Sequence, residues 1–488
     1  MKILLLDMKI LKYLFVLLIS HMLFGCGNTD RAEVSQKEEG QQPPNIVFLF
    51  ADDMRGSTLL NPAIRTPNLD QLRGQGMHFT EAHIMGGDNG AVCAPSRAML
   101  MTGRRLARLQ PKGFEIPDDH VLLGETLQMA GYDAFGTGKW HNSRHTFSRN
   151  FNQGEHIFMG GMYDPWNTPL FHYQPDGQYT DRRPVIRDDR HSNEIDTLEG
   201  EYAFSGIHAS EVFADAAIGF IEGRKPEDKP FFVYTAFTAP HDPRSMPPEY
   251  LEWYDIDNIE LPDNFMPEHP FDNGQLIIRD EQLAATPRQP EEVRRHILEY
   301  YAMISHLDAQ VGRIMEALEA KGLSENTIFI FAGDNGLAVG QHGLMGKQNV
   351  YQHSVNIPLL MAGPSIPQGK TTKAFCYTTD LFPTLCELTG TEIPTGLDGA
   401  SLAPLLKGEA EQVRETMHFQ YRDFQSAIRK GNNKLISYQV DGKQTLQLFD
   451  LAADPWEMEN LAERDTAKAA ELLTELEAWD KEYGLKSR

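Results

Sequence analysis

Four short apolar runs, each breaking off into charged or amide side chains, constrain the fold of this chain more than any other feature. Ile46-Val47-Phe48-Leu49-Phe50 leads into Asp52-Asp53, and Tyr132-Asp133-Ala134-Phe135-Gly136-Thr137 leads into Gly138-Lys139-Trp140-His141. Phe231-Phe232-Val233-Tyr234-Thr235-Ala236-Phe237 leads into Ala239-Pro240-His241, and Ile328-Phe329-Ile330-Phe331 leads into Asp334-Asn335-Gly336. Continuous β-rich apolar runs read as strands buried on both faces, as in a parallel sheet. Helical segments lie between them. Thr66-Pro67 offers an N-cap hydroxyl and a proline at the first position. Residues 208–222 and 291–320 carry helical periodicity, the second with Leu298, Tyr301, Ile304, Leu307 and Val311 on one face. Strands alternating with helices predict an α/β fold. Ligands bind outside the carboxyl ends of such a sheet, so the four polar clusters predict one composite site.

After Asp398-Gly399-Ala400-Ser401-Leu402 the texture changes to short alternating runs, at 415–421, 425–429, 434–438 and 445–451, followed by a helical stretch at 466–483. These predict antiparallel strands and a helix, hence a smaller α+β subdomain over 411–488 behind a catalytic domain over 45–410. The first residues differ again. Lys2, Lys9 and Lys12 precede the apolar run Leu14 to Leu18, and Leu23-Phe24-Gly25-Cys26 closes it, so residues 1–26 read as a secretory signal. Cys26 after a small residue resembles the bacterial lipobox, which implies a lipidated Cys26, export to the periplasm or cell surface, and membrane contact only through that anchor. An ordinary signal peptide cut nearby and an uncleaved anchor remain open alternatives. Residues 27–44, polar and ending in Pro43-Pro44, read as a flexible tether. Cys376 and Cys386 allow either a disulfide or two buried thiols.

Cys93-Ala94-Pro95-Ser96-Arg97, followed by Thr102-Gly103-Arg104, fits the pattern C-x-P-S-R-x-x-x-x-T-G-R. By itself Cys93 would read as a small buried thiol at a helix start. The full pattern resembles the signature of the type I, formylglycine-dependent sulfatases of the alkaline phosphatase-like superfamily, bacterial polysaccharide type. That resemblance implies a mostly parallel sheet flanked by helices with a C-terminal antiparallel sheet. It also implies that a formylglycine-generating enzyme oxidises Cys93 to formylglycine (3-oxoalanine), whose hydrate attacks sulfur and later collapses to expel sulfate.

The same resemblance assigns roles elsewhere. Asp52, Asp53, Asp334 and Asn335, with residue 93, imply a hard-oxygen cation site suited to Ca²⁺, with Mg²⁺ as the alternative. Arg97 is implied to hold the nucleophile near a helix N-terminus, while Arg104 is structural. Lys139 and Lys347, the latter in Gly340-Gln341-His342-Gly343-Leu344-Met345-Gly346-Lys347, are implied to bind sulfate. His141 is implied to remove a proton from the hydrate, and His241 to protonate the leaving oxygen. Asp242, Arg244, His145 and His342 are candidate substrate or pocket residues, with Arg149 and His353 as further polar neighbours. Leu448-Phe449-Asp450-Leu451, Asp454-Pro455 and Asn460-Leu461-Ala462 resemble the family's end, and Asn356 departs from the basic residue that relatives often carry.

The net charge of −24 argues against nucleic acid or an anionic membrane surface as main partner. A sulfated oligosaccharide, from an algal polysaccharide or a glycosaminoglycan, is the substrate the resemblance implies. Two rivals are a phosphonate or phosphate monoester hydrolase of the same superfamily and a non-catalytic glycan-binding lipoprotein.

Overall fold

A computed structural model describes residues 42–109, 113–186 and 190–485. Residues 1–26, with Cys26, and nearly all of the 27–44 tether lie outside the described residues. The central sheet has eight strands: β1 (Asn45–Ala51), β2 (Gly76–Phe79), β3 (Asp133–Lys139), β4 (Gln153–Phe158), β5 (Phe231–Ala236), β6 (Thr327–Gly333), β7 (Leu359–Ala362) and β8 (Lys370–Thr372). Their order is β8-β2-β7-β6-β1-β5-β3-β4. All neighbours are parallel except at β7, which runs antiparallel to both β6 and β2. All four strands expected from the sequence sit side by side at the centre, and the α/β expectation is met.

The absence of polar alternation in β1 follows from its surroundings. Ile46, Phe48 and Phe50 enter one apolar core, and Val47, Leu49 and Ala51 enter the core on the opposite face. Five helices matter to that packing: α1 (Pro67–Gln75), α2 (Cys93–Thr102), α3 (Ala209–Glu222), α4 (Pro290–Ala320) and α5 (Leu381–Thr389). The first core receives α2 and α5, and the second receives α1, α3 and α4. Helix α4 starts on Pro290 with Glu291 and Glu292 in its first turn, where the helix dipole favours acids. Its buried stripe is Val293, Ile297, Tyr300, Ile304, Leu307 and Val311; Leu298, expected on that face, sits at its margin.

The N-terminus of α1 is capped differently from the sequence expectation. Thr66 makes no side-chain cap bond. Asp308 of α4 accepts instead from the backbone N–H of Leu69 at 2.7 Å and of Asn68 at 3.1 Å. A long-range carboxylate thus replaces the local hydroxyl and ties two helices together.

Strands β9 (Thr416–Tyr421), β10 (Gln425–Lys430), β11 (Asn433–Val440) and β12 (Lys443–Asp450) form the C-terminal antiparallel sheet, followed by α6 (Thr466–Tyr483). Its fifth strand comes from far upstream: Gly86-Gly87 pairs parallel with Gln420-Tyr421 of β9. Gly86 has φ 107°, and a Cβ there would lie 2.0 Å from the Gln420 carbonyl oxygen, so only glycine fits. Phe419, Ile436 and Phe449 join the same core as β1 and α2, and the described residues from Pro43 onward pack as one unit. The hairpin Arg182–Ile186/Ile195–Glu199 carries too weak an apolar pattern to be read in the sequence. Cys376 and Cys386 are separate buried thiols. No helix among the described residues is long and apolar enough to cross a membrane.

Replacing Asp308 with Ala is expected to lower stability by about 1–3 kcal/mol, the cost of leaving buried donors unpaired. Thermal or denaturant unfolding measures it, and an unchanged midpoint contradicts the capping role.

Candidate active site

The register of the central strands builds the site. Ala51 of β1 pairs with Gly333 of β6, so Asp52-Asp53 and Asp334-Asn335 leave the sheet side by side. Asp53 turns sharply with φ 66°, and its N–H donates to Asp334 Oδ1 at 3.0 Å. Tyr300 Oη of α4 donates to the Asp53 carbonyl at 2.7 Å and fixes that turn from below. Asn335 Nδ2 donates to Asp53 Oδ1 at 2.7 Å.

Cys93 is the first residue of α2 and is 2% exposed. Its Sγ lies 3.3 Å from His141 Nδ1 and 3.5 Å from Lys139 Nζ. Burial pushes the thiol up to about 11 against the pull of Lys139 and Lys347. At neutral pH the unmodified side chain is therefore a protonated thiol and a poor nucleophile. Arg97, one turn on, gives Nε and Nη2 to Asp334 Oδ2 at 3.0 and 2.8 Å and Nη1 to the Lys139 carbonyl at 2.7 Å. Its guanidinium is committed to a carboxylate of the cluster and to β3 rather than to residue 93.

The charges are arranged in pairs. Lys139 Nζ contacts Asp52 Oδ2, and Lys347 Nζ contacts Asp53 Oδ1 at 2.5 Å. Burial opposes both ammonium charges, yet the facing carboxylates outweigh it and raise both lysines above their ordinary value. Burial likewise opposes the Asp52 charge, and Lys139 with its cationic neighbours holds that carboxyl well below the usual range. Asp334 goes the other way, raised by burial and by the neighbouring Asp52 charge. His141 is driven well below its ordinary value by burial and by Lys139 and Arg97, so its imidazole is neutral. His241 Nδ1 donates to the Asp242 carbonyl at 2.7 Å, which leaves Nε2 facing the site, 3.7 Å from Asp53 Oδ2.

These residues fit a divalent cation. Asp52 Oδ1, Asp53 Oδ2 and Asn335 Oδ1 are buried oxygens with no hydrogen-bond donor. Ligand atoms of Asp52, Asp53 and His241, and of Asp52, Cys93 and Asp334, converge to within 4.8 Å of one another. Carboxylate and amide oxygens of this kind are the donors that suit Ca²⁺ or Mg²⁺.

The structure thus brings Asp52, Asp53, Cys93, Arg97, Lys139, His141, His241, Asp334, Asn335 and Lys347 into one buried cluster. Four other candidates fall outside it. His342 stacks on Tyr351 at 4.1 Å and bonds Asn264, a packed polar group. Arg244 gives Nη1 to His296 and lies over the Tyr300 ring, and its buried Nε and Nη2 have no hydrogen-bond partner. Asp242 is buried against Arg279. His145 is half-exposed, bonded to Asp118, and lines a 570 Å³ cavity that opens beside His141 between Phe114, Glu115, Arg144 and Tyr179. Arg149 holds Glu125, and Asn356 gives its amide to the Thr80 and Ala82 carbonyls. Tyr300, Phe114, Arg279 and Glu281 were not legible as site-shaping residues. Tyr300 is hidden in an apolar stripe and the others sit in loops without periodicity.

A sulfatase family model matches residues 44–391, which contain every residue of this cluster. The chain belongs to the sulfatase family. Members are sulfuric ester hydrolases and generally use a metal ion and a formylglycine. A second model, N-sulphoglucosamine sulphohydrolase C-terminal, matches residues 340–482. The chain is 25% identical to an ulvan-active sulfatase of Formosa agariphila, over 91% of this chain and 82% of that protein. It is 26% identical to an N-acetylglucosamine-6-O-sulfatase of Bacteroides thetaiotaomicron, over 92% and 88%. Among solved structures, one bound to its substrate D-glucosamine-2-N,6-O-disulfate superposes with TM-score 0.66 at 23% identity, covering 91% of this chain and 98% of that one. The phosphonate monoester hydrolase of Agrobacterium radiobacter superposes with TM-score 0.69 at 22% identity, covering 89% and 95%. Both likenesses speak for the fold.

Chelation of divalent metal from this sulfatase is expected to lower its melting temperature, and Ca²⁺ or Mg²⁺ to restore it. At a cation concentration one hundred times Kd the stabilisation is about 2.7 kcal/mol. Asp53→Ala is expected to abolish the response; a melting temperature indifferent to metal contradicts the cation site.

Proposed function

We propose that this sulfatase removes sulfate esters from a sulfated carbohydrate, through a formylglycine made from Cys93 and a Ca²⁺ held by Asp52, Asp53, Asp334 and Asn335. The observation that carries the reading is Cys93 itself, buried at the start of α2 with its Sγ 3.3 Å from His141 Nδ1 and 3.5 Å from Lys139 Nζ, beside the carboxylate cluster. The relatives named for ulvan and for N-acetylglucosamine 6-sulfate support a glycan substrate, as does a 570 Å³ cavity large enough for a sugar ring beside His141.

The aldehyde hydrate supplies an oxygen nucleophile and a second hydroxyl through which sulfate can be released, steps that a thiol or serine cannot complete. The cation, when bound, favours the deprotonated nucleophile and draws charge from the sulfate oxygens. The chain's own groups do the rest. Lys139 and Lys347 carry charge to both sides of the sulfuryl group, and their pairing with Asp52 and Asp53 fixes their aim. His141, whose Nδ1 lies 3.3 Å from Cys93 Sγ, is placed to take up a proton from residue 93 at that nitrogen. His241 presents Nε2 to the leaving oxygen, its other nitrogen anchored on the Asp242 carbonyl. Arg97 keeps Asp334 in place.

Maturation by a formylglycine-generating enzyme, export by the N-terminal signal, and a lipid anchor at Cys26 in the periplasm or at the cell surface complete the proposal. Their support is the sequence alone.

Purified protein co-expressed with a formylglycine-generating enzyme is expected to release inorganic sulfate from a panel of sulfated oligosaccharides. Cys93→Ala is expected to release none. Sulfate release by Cys93→Ala at the wild-type rate overturns the mechanism, and phosphonate hydrolysis without sulfate release favours the rival chemistry.

A further inference from the structure

The short 3₁₀ turn Arg279–Leu283 lies far in sequence from every strand end, yet its first three side chains reach two parts of the active site. Arg279 Nη1 and Nη2 form a two-point ion pair with the Asp242 carboxylate, the Nη1 bond being 2.8 Å. Asp242 carries the carbonyl that anchors His241 Nδ1, and its own Oδ1 lies 3.4 Å from the same nitrogen. Burial alone would raise the Asp242 carboxyl; the Arg279 hydrogen bonds, with the neighbouring positive charges, hold it at about 2. Next in the chain, Asp280 Oδ2 accepts from Gln348 Nε2 at 2.6 Å. Glu281 then receives the backbone N–H groups of Met345 and Gly346, each at 2.9 Å, directly before Lys347. Arg288 backs Glu281 by bonding its carboxylate and the Gly343 carbonyl.

The arrangement is specific on both sides. A two-point guanidinium–carboxylate pair fixes orientation as well as distance. A carboxylate accepting two successive backbone N–H groups locks the loop conformation that aims the next side chain. Gly346 is part of the fit, since a Cβ there would meet Gln348 Oε1 at 2.3 Å and Glu281 Oε1 at 3.0 Å.

We propose that Arg279-Asp280-Glu281 is a positioning clamp that sets the leaving-group acid His241, through Asp242, and the sulfate lysine Lys347, through the 345–346 backbone, at a fixed spacing. Asp242 and Arg279 are thereby positioning residues rather than substrate ligands. The inference rests on the function proposed above. It divides the labour of the turn: its Arg279 end governs proton delivery to the leaving oxygen, and its Glu281 end governs charge on the sulfuryl group.

The test uses the matured, full-length enzyme and two esters: 4-nitrophenyl sulfate, whose phenolate departs unprotonated, and the best sugar sulfate from the panel, whose alkoxide needs a proton. Arg279→Gln is expected to lower kcat on the sugar sulfate by about 10²-fold while kcat on 4-nitrophenyl sulfate stays within roughly threefold, and Arg279→Lys is expected to recover part of the loss. The activated ester serves as the folding control. Glu281→Gln is expected to slow both esters by the same factor, because Lys347 meets the sulfuryl group they share. Equal losses on both esters in Arg279→Gln, no loss on either, or unequal or absent losses in Glu281→Gln overturn the clamp. Wild-type enzyme inactive on every ester overturns the proposed function instead.

Discussion

Three buried carboxylates, Asp52, Asp53 and Asp334, gathered at the carboxyl ends of two adjacent parallel strands, are the constraint on which the rest of the structure depends. Like charges this close, cut off from water, cost several kcal/mol each unless they are paired. The fold answers with Arg97 on Asp334, Lys139 on Asp52 and Lys347 on Asp53, each brought in by a different element. One demand is left over. Asp52 Oδ1, Asp53 Oδ2 and Asn335 Oδ1 have no donor, a demand that a divalent cation would satisfy. Removing any one of these three basic side chains leaves an uncompensated charge, so they hold the cluster together.

The scaffold keeps this cluster rigid by tying each strand end to something distant. Tyr300 reaches from the middle of α4 to the Asp53 turn. Arg97 joins α2 to both β3 and β6. Gly86-Gly87 stitches the segment just upstream of Cys93 onto the C-terminal sheet, which explains why that sheet shares a core with α2 rather than standing apart. Cys93 at its helix start thus has its backbone fixed from two directions.

Much of this was legible in the sequence because the strand ends are marked twice, by loss of the apolar run and by residues with one chemical purpose. Asp52-Asp53, Lys139, His141, His241 and Asp334-Asn335 each follow a buried strand, and parallel register then forces them together. Loop residues lack that double mark. His342 carries the right chemistry in the right stretch of chain, and only its stacking on Tyr351 and its bond with Asn264 show that it is packed outside the cluster. The cap of α1 failed for a related reason. A hydroxyl at the expected position is a local signal, and Asp308, 240 residues from Asn68, provides the bonds instead. Interactions that depend on which surfaces meet leave no period or motif to read.

The central claim is that residue 93 does not act as a cysteine. Mass spectrometry of the peptide containing residues 93–97, from protein co-expressed with a formylglycine-generating enzyme, tests it most directly. The account predicts an aldehyde in place of the thiol, and that mass absent from Cys93→Ala. An unmodified, alkylatable thiol in protein that nonetheless releases sulfate would contradict it.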